Sequence, residues 1–245
     1  MKIGRTLLFL FLAVYLAPAL ASAGYWSLLD RPGSWREADW SSAGILPHPD
    51  DERQATIHVF SAATGGMKGA FASHSWIVTK EENAARYQRY DKVGWGSPVR
   101  RNGYPADAFW YSNAPRAVLS LKGAEAARLI PKVEAAIAAY PFAQPGGYRI
   151  WPGPNSNTFV AHVLKSVPEL GAVLPPDAVG RDYLPFGTFV EIDPDGRDLH
   201  ASLLGLVGFS AGLRSGLEFH LAGLVAGIDV MRPGVKIPAL GRIGM

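Results

Sequence analysis

Two short polar stretches carry the residue types that acyl-transfer chemistry needs. Ser73-His74-Ser75-Trp76-Ile77-Val78 sets a histidine inside a run of β-forming residues. Gly153-Pro154-Asn155-Ser156-Asn157-Thr158-Phe159 sets hydroxyl and amide side chains at the start of a stretch with an apolar stripe. A helix N-terminus offers unpaired backbone N–H groups and a partial positive charge, which stabilise a nucleophile's anion or a developing oxyanion. A neighbouring imidazole would act as general base. The expected roles are Ser156 as nucleophile, His74 as base and the N–H groups near Asn157 as oxyanion donors. A serine hydroxyl titrates far above a thiol, so it needs a base oriented by a third group. Gln88, with its neighbours Arg89 and Asp91, is the candidate, and spacing does not choose among them. A purely structural reading competes: Ser156 beside Asn155 and Asn157 also reads as a helix N-cap, and a strand histidine packs more often than it catalyses.

The elements that must position these residues follow from pattern. Ala55 to Ala63 and Ala70 to Lys80 read as strands around the turn signal Gly65-Gly66, with His74, Trp76 and Val78 on one face. Arg86 to Val93, Ala117 to Leu121 and the brief Tyr148 to Trp151 read as further strands. Ala124 to Tyr140 is helical, with Leu129, Val133 and Ile137 at four-residue spacing, and Pro141 stops it. A second helix runs from Ser156 to about Val167. The Gly-rich tail, 199–237, has two readings. Gly208, Gly212 and Gly216 have the spacing of a membrane-helix interface. However, each apolar piece is too short to span, and Arg214, Glu218 and Asp229 would sit at membrane depth. Period-two order in Leu217, Phe219, Leu221 and in Leu224, Ala226, Ile228, Val230 favours a β-meander, with His200 and His220 at interior or rim positions. Arg181-Asp182-Tyr183 carries no signal of its own.

The N-terminus narrows the setting. Lys2 and Arg5 precede an apolar run from Leu7 to Leu16, then Pro18 and Ala21-Ser22-Ala23. That is the charged, apolar and small-residue order of a signal peptide, or of an anchor left uncleaved. Residues 1–23 are therefore read as leader or anchor, and 24–54 as an irregular aromatic-rich extension. Residues 55–245 are read as one α+β domain that includes the meander. Export is expected, to the periplasm or to the outer face of the inner membrane. Trp26, Trp35 and Trp40, near Arg31 and Arg36, suit a membrane surface.

Composition removes other classes. With 48% hydrophobic and 18% charged residues the chain is too apolar for disorder. The formal charge of +3 includes Lys2 and Arg5, and no basic stripe marks a nucleic-acid partner. The absence of cysteine excludes disulfides, thiolate metal sites and thiol nucleophiles. His48, His58 and His74 lack metal-ligand spacing, and Asp193-Pro194-Asp195-Gly196 lacks the remaining ligands of a calcium loop and reads as a turn. No metal or cofactor is expected.

The His-Ser-Trp-Ile and Trp-Pro-Gly-Pro-Asn-Ser-Asn-Thr-Phe stretches resemble an uncharacterised bacterial family of unknown function, over most of the chain including the Gly-rich tail. More distantly the layout is similar to circularly permuted papain-like hydrolases, the LRAT-like and PPPDE peptidase groups. There a strand histidine comes first and an Asn-Cys-Asn-like helix start supplies the nucleophile. By that resemblance His74 stands on the histidine and Ser156 on the cysteine. It implies a permuted papain-like sheet packed on two helices, followed here by the meander. It also implies a hydrolase of an amide or ester bond, acting on an envelope peptide or lipid. Serine in place of cysteine keeps two alternatives open: an inactive papain-like domain that binds an envelope ligand, or a structural envelope protein.

Overall fold

The computed structural model describes residues 2–96 and 98–244. The fold is mixed α+β, with two antiparallel sheets and a few helices. The first helix, α1 (Lys2–Ser27), has 26 residues and is apolar and long enough to cross a membrane by length and composition. Helix therefore extends well beyond the Leu7 to Leu16 run. A π-type stretch at Leu12–Leu16 lies within it. Its end is fastened to the body: Ser22 donates to the Ala70 carbonyl at 2.5 Å and Trp26 to that of Gly66 at 2.9 Å. A Cβ on Gly69 would fall 2.2 Å from the Trp26 ring, so glycine makes this approach possible.

The first sheet contains β1 (Thr56–Ala63), β2 (Ser73–Lys80), β3 (Gln88–Lys92), β4 (Val99–Arg101) and β5 (Arg116–Lys122), in the order β4-β3-β2-β1-β5. β2 starts three residues later than its pattern suggests, because Gly66–Ala70 winds into a 3₁₀ turn. Period-two alternation divides the two faces of the sheet. Ile57, Val59, Ile77 and Tyr90 pack on α2 (Ala124–Ala138) and α3 (Ser156–Ser166) in the larger core. Phe60, Ala62, Trp76 and Val78 pack on an aromatic layer containing Trp40, Tyr104, Trp110 and Tyr111. Leu129, Val133 and Ile137 of α2 are buried as their spacing requires, though the helix ends at Ala138. Each such aliphatic side chain contributes roughly 1.5–3 kcal/mol by leaving water.

Tyr148 to Trp151 forms no strand. Pro152 and Pro154 cannot donate to a ladder, and the carbonyl of Ile150 instead accepts from the Asn155 side chain at 3.2 Å.

The tail is a seven-stranded meander in simple sequential order: β6 (Val190–Ile192), β7 (Asp198–Leu203), β8 (Val207–Gly212), β9 (Gly216–Leu221), β10 (Leu224–Asp229), β11 (Gly234–Ile237) and β12 (Gly241–Gly244). It is strand, as the charge and length argument requires, and it starts before residue 199 and runs past 237. Its polarity is reversed from the usual arrangement. Asp198, His200, Ser202, Ser210, Glu218, His220 and Lys236 are buried, while Leu203, Val207, Phe209, Leu217, Phe219 and Ile228 are exposed.

Candidate functional site

Asn155, not Ser156, caps α3. Its side chain accepts from the backbone N–H groups of Asn157 and Thr158 at 2.9 and 3.2 Å, and the Thr158 hydroxyl accepts from the Asn155 N–H at 3.1 Å. Asn155 also donates to the carbonyls of Ile150 and Val179. A Cβ on Gly180, whose φ is +93°, would lie 2.3 Å from the Asn155 amide, so glycine is needed there twice over. With the cap supplied by its neighbour, the Ser156 hydroxyl takes part in no hydrogen bond among the described residues.

The same capping narrows the choice among the N–H groups near Asn157. The Asn157 N–H is engaged by Asn155, which leaves the N–H of Ser156 as the free donor at the helix start. The Asn157 side chain donates to the carbonyls of Ser73 and Val179, each at 2.8 Å, and so binds α3 to the start of β2.

His74 lies on the aromatic face of the sheet. Its ring stacks on Trp110 with centroids 3.7 Å apart and planes within 5°. Nε2 is turned to the Asp91 carboxylate at 3.6 Å, an ion-pair separation longer than a hydrogen bond. Nε2 is buried without a hydrogen-bond partner, and no hydrogen bond of Nδ1 is formed among the described residues. Asp91 also pairs with Arg89 at 3.1 Å and Arg100 at 3.6 Å, and the Arg89 guanidinium lies over Trp76. Burial alone would raise the Asp91 carboxyl, but His74, Arg89 and Arg100 outweigh it and hold it at about 2. Burial pushes the His74 imidazole below its ordinary value and outweighs the opposing pull of Asp91. The result is a neutral imidazole beside an ionised carboxylate, the protonation pattern of a general base with an orienting partner.

His74 and Ser156 line one cavity of about 400 Å³. It straddles the start of β2, and its walls include Lys68, Trp110, Tyr148, Trp151 and Leu224. No hydrogen bond joins His74 to Ser156. Gln88 lies elsewhere: it shares its face of β3 with Tyr90, opposite to His74, and accepts from Arg101 and Asn102 at 2.8 Å each. Asp91 takes the position expected of the third group. The i, i+2 spacing puts Arg89 and Asp91 on one face of β3, and the register with β2, Val78 opposite Arg89, makes it the face of His74. Of the aromatic trio, Trp35 is exposed and Trp26 packs on Gly69, while Trp40 stacks on Tyr104 within the aromatic layer.

A second Ser–His–Asp set lies on the inner face of the meander. His200 Nδ1 is 2.9 Å from the Ser210 hydroxyl and Nε2 is 3.2 Å from Asp193. The cavity beside it measures about 40 Å³, room for a few waters and no substrate. Asp193 also holds Arg214 at 2.8 Å, so this set is part of a buried polar core. That core includes the Arg181-Asp182 pair that sequence reading passed over. His220 bridges Asp182 at 2.8 Å and Glu218 at 3.1 Å, and Glu218 binds Arg181 at 2.6 Å and Lys236. Only the fold shows these partners, since the turn that carries Arg181 and Asp182 meets Glu218 and His220 of β9 and Lys236 of β11 across long stretches of sequence. Among the described residues no group of three or more His, Asp or Glu is arranged to hold a metal ion.

Residues 54–183 match a protein family described as "Protein of unknown function (DUF3750)". The match contains His74, Asp91 and Ser156 and ends before the meander. No curated protein and no solved structure matches the chain.

Proposed function

Because the chain belongs to the DUF3750 family, which has no assigned activity, we propose a function from its cavity alone: hydrolysis of an ester or amide bond in an envelope substrate. Ser156 is the nucleophile, His74 the general base, and Asp91 the group that positions His74. The observation that carries this reading is a hydroxyl at a helix N-terminus that takes no part in the cap, lining the same cavity as a buried histidine whose Nε2 lies 3.6 Å from a carboxylate. In the first half-reaction Nδ1 of His74 takes the Ser156 proton as the oxygen attacks the carbonyl. The Ser156 N–H and the positive end of α3 support the oxyanion. His74 then protonates the departing alkoxide or amine, and a water repeats the cycle on the acyl-enzyme. This keeps the roles drawn from the papain-like resemblance, with a serine as nucleophile.

Helix α1 supports an exported chain anchored at the outer face of the inner membrane, since its end is fastened to the body around Ala70 and Gly66. Trp35, exposed beside Arg36, is the aromatic best placed for membrane-surface contact.

One observation favours a second reading, an inactive domain that binds an envelope ligand: His74 and Ser156 share no hydrogen bond. The test measures turnover of acyl-ester and peptide panels by the wild type and by Ser156→Ala, Ser156→Cys and His74→Ala. The enzyme reading expects turnover that both Ser156→Ala and His74→Ala abolish. An inert wild type beside an active Ser156→Cys supports the binding domain. Wild-type turnover that persists in His74→Ala refutes the mechanism.

A further inference from the structure

The outer face of the meander is the largest feature that the hydrolase reading leaves unused. By ladder register, every outward position from β6 to β12 is aliphatic, aromatic, alanine or glycine. Phe209, Leu217, Phe219, Ile228, Val235 and Ile243 are each substantially exposed on it. Seven strands spaced ~4.8 Å apart and on average ~17 Å long give a face on the order of 500 Å². Soluble monomers rarely expose so large a contiguous apolar patch without a partner.

We propose that this face lies flat on a lipid bilayer. The first argument is polarity. Charged and hydroxyl side chains fill the inner face and apolar ones the outer, which is the alternation of sheets that face lipid. The second is continuity. Tyr15, within α1, donates to the Phe219 carbonyl at 2.9 Å, and residues Leu12–Leu16 lie against β10. A helix long and apolar enough to span is thus held against the same sheet and is itself exposed along most of its length. The medium that covers the helix is therefore the medium next to the sheet. The third argument fixes the mode. Strands of three to six residues are too short to span, and β6 and β12 leave open edges that hydrocarbon does not tolerate. The sheet rests at the interface and does not form a barrel.

The chain has no cysteine, so single labelling sites can be introduced cleanly. Full-length Phe219→Cys and Ile228→Cys, each labelled with an environment-sensitive fluorophore, are bound to vesicles of phosphatidylethanolamine and phosphatidylglycerol. Glu125→Cys, on the exposed side of α2, is the reference. Two strands are used so that one poorly folding variant does not end the experiment. A blue shift, quenching by spin-labelled lipid and shielding from iodide at both sheet sites are expected, with Glu125→Cys open to iodide. Iodide quenching at the sheet sites equal to that at Glu125→Cys, in protein bound through α1, overturns the proposal. Shielding from both quenchers also overturns it, because a second copy or another protein then covers the face.

Discussion

Asp91→Asn tests the arrangement that makes His74 a base. The Asp91 side chain is fully buried, as is that of its closest partner Arg89, and His74 and Arg100 complete the cluster. Without the carboxylate charge, the Arg89 guanidinium keeps the Pro105 carbonyl at 3.0 Å and no anion. Leaving a buried charge unpaired costs about 3–5 kcal/mol. A second route gives the same order: a carboxyl held at about 2 against the usual 3.8 corresponds to about 2–3 kcal/mol. The sign follows from the depressed value. The contribution is complete above the ordinary carboxylate range and is lost as pH falls through about 2. Urea denaturation of the full chain in detergent, followed by tryptophan fluorescence, should therefore find the variant less stable by about 3–5 kcal/mol at neutral pH. The gap should narrow as pH approaches 2. A gap below about 1 kcal/mol, or one that ignores pH, would mean that Asp91 does not organise the cluster.

Two further outcomes follow. Asn155→Ala should cost about 1–2 kcal/mol as a lost N-cap, whereas Ser156→Ala should stay within ~0.5 kcal/mol because its hydroxyl holds nothing; equal losses in denaturation would return the cap to Ser156. His220 is buried, which alone would depress it, but Asp182 and Glu218 raise it above the ordinary imidazole value, so its stabilisation is complete below about 6.5 and fades as pH rises through the folded value. Denaturation midpoints should decline in the wild type as pH rises above the ordinary imidazole value and flatten in His220→Gln, and parallel profiles would place the charge elsewhere.

The sequence marks its elements wherever one period dominates. Alternation exposes β1, β2 and the meander, and four-residue spacing exposes α2, because each side chain's burial is set by its own strand or helix. It loses precision at ends that a neighbour decides. Ser73 begins β2 because the residues before it turn back to receive α1, and Tyr148 to Trp151 stays irregular because Asn155 takes its carbonyl. Within the site, His74 and Ser156 are visible as types in context and come to line one cavity. The identity of the cap and of the third group depends on which side chain reaches which atom across elements. That is why residue types alone leave the cap open among Asn155, Ser156 and Asn157, and Gln88 open beside Asp91. The outward turn of the meander's apolar face is hidden for a related reason: period two says that a strand has two faces, and not which of them meets water.

The meander's opposed faces also have a consequence for how it pairs. A glycine-rich ribbon of short strands would ordinarily slide, since few side chains distinguish one alignment from the next. Here a one-residue slip of β9 would exchange its faces, turning Glu218 and His220 outward and driving Phe219 and Leu217 into the polar interior. Arg181 and Asp182, which lie outside the sheet, would lose Glu218 and His220 together. The buried ionic cluster thus works as a key that fits one alignment only.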